Sequence, residues 1–233
     1  MINLFVGYDP REAMAYHVLV QSVLNTASEP VAVIPLHTSM LDNFDGQQDG
    51  TNRFIYSRFL VPSLMDFKGW AIFCDSDMLV RSDIAKLWAL RDDSKAVLVC
   101  KHNYKTKHPI KARGTFLESK NEDYPGKNYS SLVLWNCGHP MNRIVTRQFA
   151  AESGGRILHR FSWLPDDLIG SIPLSWNWLV GEYDFNLEAD LVHYTIGVPG
   201  FEFYKQCDYS AEWFETLTDV NHVGELKDKR RRA

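Results

Sequence analysis

Cysteine is scarce in this 233-residue chain, and its four cysteines, Cys74, Cys100, Cys137 and Cys207, form no CxxC pair. That spacing argues against a structural zinc site, and three of the four lie in apolar stretches, as reduced, buried thiols of a cytoplasmic protein would. Also missing is any run of the ~20 apolar residues that a membrane span requires. The opening MINLFVGYDP passes straight into strand-like sequence, so the expectation is a cytoplasmic protein without signal peptide or transmembrane segment. Nor is there a surplus of positive charge: 25 Lys and Arg against 29 Asp and Glu leave a net charge of -4, which argues against nucleic acid as a partner. The basic stretch within residues 225–233 is expected to be a loose, solvated tail, with a contact to anionic lipid or an acidic partner as its alternative. No GxGxxG follows the first strand-like run, which disfavours a dinucleotide-dependent oxidoreductase. Internal repeats, low-complexity blocks and linkers are absent as well, so residues 1–233 read as one domain.

What is present suits a packed core: 45% of the residues are apolar and 13% aromatic. Residues 3–7 read as a buried strand and 31–36 as a second strand, around a helix that starts near Asp9-Pro10-Arg11-Glu12. There Asp9 can cap, Pro10 suits the first turn and Glu12 has capping-box spacing. A helix over 53–65, a strand over 70–74, a helix over 83–90 and a strand over 96–100 continue the alternation. Further strands are expected over 130–135 and 190–194, with a helix near 142–152. The alternation predicts an α/β fold with a mostly parallel sheet flanked by helices. The polar, lysine-rich segment 103–128 reads as a loop over a site or an insertion.

The chemistry concentrates in WAIFCDSDMLV, where Asp75 and Asp77 follow a buried strand. Ligands of open α/β sheets bind at the carboxyl ends of strands. Alternate residues of extended chain point the same way, so both carboxylates can converge on one cation while Ser76 points elsewhere. Their hard oxygens suit Mg²⁺ or Mn²⁺. Both aspartates can equally serve as caps or turn residues, but two adjacent carboxylates at a strand end are costly without a cation or several donors. Asp166 and Asp167 follow Pro165 at the expected start of a short helix, either as caps or facing a reacting sugar. His193 closes an apolar strand, where it is a satisfied core residue or a metal ligand.

The blocks GYDPREAMAYHV, YSRFLVP, WAIFCDSDMLV, LPDDLIGSIPLSWNWLVGEY and VHYTIGVPGF, in this order, resemble GT-A fold nucleotide-sugar glycosyltransferases similar to family 8, in a bacterial and phage branch. The resemblance implies a Rossmann-like GT-A domain and a UDP-sugar donor whose diphosphate is held through Mn²⁺ (or Mg²⁺) on Asp75, Asp77 and His193. It further implies uracil and ribose contacts at Tyr8 and Asp9, and a phosphate or motif contact from Arg58. Ser76 falls within the donor-binding motif, and Lys101 could touch the sugar. Asn136 matches an asparagine lining the sugar pocket, and Asp166 and Asp167 match the acid or amide near the anomeric carbon. Many relatives carry a lysine shortly after the metal histidine, whereas His193-Tyr194-Thr195-Ile196-Gly197 has none. Phosphate neutralisation is therefore expected from the metal, from Lys205 or from backbone N–H groups near Gly197. The implied reaction is sugar transfer to an unknown saccharide or other hydroxyl acceptor, retaining by resemblance, although two acids at 166–167 leave an inverting general base open. The alternatives are a haloacid-dehalogenase-type phosphatase with Asp75 as nucleophile, and a non-catalytic sugar- or nucleotide-binding module.

Overall fold

Strict alternation in the apolar runs builds the central sheet. In β1 (Ile2–Gly7) and β3 (Trp70–Cys74), Phe5 and Phe73 face one hydrophobic cluster while Leu4, Val6, Ile72 and Cys74 face the other, the period-two signature of a strand buried on both faces. The computed structural model describes residues 1–37 and 55–222. Its strands continue as β2 (Val31–Leu36), β4 (Met78–Val80), β5 (Val97–Val99), β6 (Ile110–Lys111) and β7 (Ser119–Lys120). After them come β8 (Leu132–Asn136), β9 (Ile169–Ser171), β10 (Trp178–Leu179) and β11 (Leu191–His193). The helices are α1 (Ala13–Thr26), α2 (Val61–Leu64), α3 (Ile84–Trp88), α4 (Arg147–Glu152), α5 (Gly155–His159) and α6 (Ser210–Val220).

Six strands form the main sheet in the order β2-β1-β3-β8-β5-β9. Pairing is parallel except at β8, which runs antiparallel to both β3 and β5. Leu19 and Val23 of α1 and Ile84 and Leu87 of α3 cover one face. Phe59, Leu158 and Phe161 cover the other around Trp135. The expected α/β architecture is therefore what the chain adopts. A second, three-stranded sheet, β10-β11-β4, packs with α6 through Leu79, Val192, Tyr194 and Trp213.

Two expected helices are shorter than their periodicity suggests. Over 53–65, the described part is a 3-10 turn at Ser57–Leu60 and then α2. Pro62 is the cause, because a residue without an N–H is tolerated only in a first helical turn. Over 142–152, a 3-10 turn ends at Ile144 and α4 starts afresh beyond Thr146, whose Oγ1 accepts from Phe149 N. The start of the 53–65 helix and the basic tail within 225–233 lie outside the described residues.

One buried hydroxyl ties α1 to the strand that leaves the acidic motif. Ser22 Oγ accepts from Val80 N at 3.0 Å and donates to Leu19 O at 2.7 Å. Ser22→Ala strands the Val80 N–H in an apolar surround, and denaturant unfolding is expected to show a loss of about 1–3 kcal/mol. A change below a few tenths would mean that the helix and strand do not depend on this bond.

Candidate active site

The acidic motif is the turn by which the chain leaves one sheet for the other. Asp75 N donates to Ser131 O at 2.9 Å, keeping the turn on β8, and Asp77 O accepts from Tyr194 N at 2.8 Å, pinning its far side to the segment after β11. Antiparallel pairing of β4 with β11 sets His193 opposite Met78, so the imidazole arrives beside Asp77. One ligand atom from each of Asp75, Asp77 and His193 then lies within 4.8 Å of the others. His193 Nδ1 meets Asn177 Oδ1 at 2.9 Å, and Asn177 Nδ2 donates to Ser131 Oγ at 2.8 Å. The amide thus fixes the ring, whose Nε2 stands 3.3 Å from Asp77 Oδ1 on the side of the carboxylates.

Electrostatics inside this triad are uneven. Arg58 places Nη2 3.0 Å from Asp75 Oδ1 and donates from Nη1 to Ser130 O at 3.0 Å. Burial nevertheless outweighs the guanidinium and pushes the Asp75 carboxyl up to about 6. Asp77 also suffers burial, yet His193 beside it holds its pKa below the ordinary value. Oδ1 of each aspartate is buried and accepts no well-formed hydrogen bond among the described residues. Two buried carboxylate oxygens, each with a nitrogen nearby but no well-formed hydrogen bond, and an oriented imidazole nitrogen fit a hard divalent cation such as Mn²⁺ or Mg²⁺.

The triad opens on a cavity of about 520 Å³, whose wall includes Glu12, Arg58 and Gly197 and whose far side is the 103–128 segment. This segment is a strap folded on the β6–β7 hairpin and fastened at two places. Ala112 N donates to Ile196 O and Lys111 Nζ to Thr195 Oγ1, at 2.7 and 3.0 Å. Deeper in, buried Glu182 accepts from Thr106 Oγ1 and Lys107 N, each at 2.6 Å, and from Asn121 Nδ2 at 2.9 Å, while Lys127 Nζ donates to Asn121 Oδ1 at 2.7 Å. Glu12 is the residue whose role the sequence concealed most. It makes no capping bond, and its carboxyl joins the cavity wall, where burial and the fields of Asp77 and Asp9 push its pKa up to about 9. Its position just beyond the carboxyl end of β1 was the available signal.

Several expected site residues lie elsewhere. Asn136 pairs with Trp70, at the start of β3, while Asp75 follows its end. Five strand residues separate those two levels, roughly 16 Å at the usual rise per residue. The Asn136 side chain donates to Lys95 O. Asp166 and Asp167 precede β9, whose first residue is level with Val97 and Trp135, so this exposed pair sits at the same remote end. Antiparallel β8 and the parallel entry into β9 carry all three away from the motif. Lys205 is exposed and bound to Glu202, outside the cavity lining. Gly197 does line the cavity, but its N–H is donated to Tyr194 O, and a Cβ there would meet the Tyr204 ring at 2.3 Å. Glycine is required there by packing, and the expected phosphate contact from its N–H is already spent.

The remaining residues lie nearer. Asp9 is fully buried and accepts from Arg11 N as the cap expected of it, and Tyr8 packs edge-on to Tyr16 and His37. Both adjoin Glu12 without lining the cavity. Ser76 is buried with its Oγ unpartnered among the described residues, and Lys101 is exposed just past β5, at the motif's end of the sheet.

Comparison with known proteins agrees with this geometry. The family described as glycosyl transferase family 8 matches residues 11–141. Protein CDI of Arabidopsis thaliana is 40% identical over 230 residues, covering 94% of this chain and 87% of that protein. Among solved structures, the bifunctional glycosyltransferase WbbM superposes with a TM-score of 0.60 at 14% identity, covering 94% of this chain, which spans half of WbbM's length. The galactosyltransferase LgtC, solved in complex with donor and acceptor sugar analogues, superposes with a TM-score of 0.58 at 13% identity, covering 96% of this chain and 98% of its own. The GT-A fold, the carboxylate pair at a strand end and the match over more than half of the chain converge: this chain belongs to glycosyl transferase family 8 and is a glycosyltransferase.

Proposed function

We propose that the chain moves a sugar from a UDP-sugar donor to a hydroxyl acceptor in a reaction that depends on Mn²⁺ or Mg²⁺. The convergence of Asp75, Asp77 and His193 on one point at the cavity floor is the observation that carries this reading. When bound there, the ion would supply Lewis acidity toward the negative charge of the departing diphosphate. The protein's own contribution is positional. Arg58 and Ser131 hold Asp75, the Tyr194 N–H holds the Asp77 backbone, and Asn177 sets the His193 ring, so the ligands need no reorganisation on binding. The strap supplies the wall that faces the triad across the cavity.

Retention of anomeric configuration remains the outcome we infer from the resemblance, and the remote placement of Asp166 and Asp167 withdraws the pair considered for an inverting base. Family membership speaks against the phosphatase and the non-catalytic module. Among the described residues no helix is long and apolar enough to cross a membrane, and the four cysteines are free thiols, which suits the cytoplasm we propose.

The direct test is UDP release from a panel of UDP-sugars with Mn²⁺, with Mg²⁺ and with EDTA. Release from one donor that EDTA abolishes is expected. Asp77→Ala is expected to lose metal-dependent UDP binding in calorimetry while keeping its thermal transition, and intact binding would reject the ligand assignment. Asn177→Leu should weaken Mn²⁺ affinity about 10- to 100-fold by freeing the imidazole; unchanged affinity would remove His193 from the ligand set. Because Asp75 must lose its proton to ligate and burial pushes its carboxyl up to about 6, Mn²⁺ affinity should be flat at pH 7–8. It should then fall towards tenfold per pH unit below about 6. A profile still flat at pH 5 would contradict this.

A further inference from the structure

Asp75 and Asp77 together carry the charge that one divalent ion cancels, and Arg58 adds a single positive charge beside Asp75, so part of the charge on a donor's diphosphate is left without a counter-charge. Another cation is needed at the cavity, and among the described residues four basic side chains line it: Arg58, Lys111, Lys120 and Lys127. Arg58 is committed to Asp75 and Ser130 O. Lys127 is committed to Asn121 Oδ1 and stands 3.7 Å from Asp123 Oδ1. Lys120 is exposed on the rim. Lys111 differs from all three, because its ammonium is held at 3.0 Å by one neutral group, Thr195 Oγ1, and makes no ion pair among the described residues.

We propose that Lys111 is a phosphate-binding residue of this cavity, its ammonium receiving the charge on the diphosphate of the leaving nucleoside diphosphate. The proposal rests on the reading of the cavity as a UDP-sugar site. Thr195 stands two residues beyond His193, so the bond to its hydroxyl stations the ammonium within reach of whatever the metal triad holds. The Ala112 N to Ile196 O bond next to it keeps β6 in that register. The ammonium donates to a neutral hydroxyl and feels the carboxylates of Asp77 and Asp75 only through space, so its burial is incompletely compensated, and an incoming anionic oxygen supplies what it lacks. Lys111 thus does from the strap what neither Lys205 nor the Gly197 N–H is placed to do.

The test is calorimetric titration of the Mn²⁺-loaded protein with UDP and, separately, with uridine, alongside thermal unfolding. Lys111→Met is expected to weaken UDP about 10- to 100-fold, the range for a lost charge-assisted hydrogen bond, while uridine affinity stays within twofold. Its melting temperature should hold or rise, since the substitution removes a poorly compensated charge; a structural role would lower it. Lys111→Arg should restore part of the UDP affinity. Lys86→Met, which makes the same change in net charge on the exposed side of α3, should leave UDP affinity as it was. Should Lys111→Met fail to fold, Thr195→Val, which frees the ammonium from its anchor, is expected to weaken UDP several-fold without affecting uridine. UDP affinity within twofold of wild type, or equal losses for UDP and uridine, would overturn the proposal and leave the glycosyltransferase reading standing. Failure of the wild-type protein to bind UDP at all would overturn the donor reading and this proposal together.

Discussion

The pairing of β4 with β11 is the constraint on which the site depends. Asp75 and Asp77 are neighbours in sequence and would meet in any extended turn, but His193 is more than a hundred residues away and arrives only through this ladder. The ladder is short, and its neighbours reinforce it. Tyr194 N reaches back to Asp77 O, Asp190 O accepts from Arg81 N and Ser82 N, and Ser22 occupies the Val80 N–H from the helix side. A three-stranded sheet of such short strands is marginal alone. It is stable here because Leu79, Val192 and Tyr194 are buried against Val18 of α1 and Trp213 of α6. The remote helix at the chain's C-terminal side is therefore part of what holds the imidazole in place.

Charge balance is the second constraint. Within one cavity the protein gathers Glu12, Asp75 and Asp77, and it does so with one guanidinium in direct contact. Burial raises the pKa of Glu12 to about 9 and that of Asp75 to about 6 while His193 draws down that of Asp77, so at neutral pH Glu12 is protonated and the negative charge rests on the two aspartates. Repulsion between carboxylates is thus eased by protonation on one side and by an imidazole on the other. A divalent ion would reverse that order, because a cation in the triad favours every nearby carboxylate in its charged form.

The fold was legible in the sequence because strands buried on both faces leave a pattern that few other structures share. The runs at 4–7, 31–36 and 70–74 are apolar and are followed by polar or aromatic residues, and each became a strand, as did 191–193 within the strand expected over 190–194. The metal triad was legible for a related reason, since a carboxylate pair at the end of such a run has few inexpensive environments. What failed was orientation. Nothing in LVLWN shows that β8 runs against β3, yet that reversal carries Asn136 to the far end of the sheet. Asp166 and Asp167 were misplaced by the same ambiguity, because an acid pair before a strand reads alike at either end. Glu12 was hidden differently: its spacing from Asp9 matches a capping box, but Arg11 occupies the Asp9 carboxylate and the glutamate turns inward.

The strap explains why sequence patterns told least about the cavity's far wall. Residues 103–128 are polar and have little regular structure, and much of their placement comes from Glu182, which accepts from a hydroxyl, a backbone N–H and a side-chain amide of this segment. A buried carboxylate with three donors is held far more firmly than a surface contact, since releasing it would leave charge and donors unpaired together. Asn121 extends that anchor to Lys127, and the hairpin carries it on to Lys111 and Thr195. One acidic residue beyond β10, at a distance along the chain that no local pattern spans, thereby joins the contacts of Lys111 and Ala112 with Thr195 and Ile196 in positioning the cationic wall opposite the aspartates.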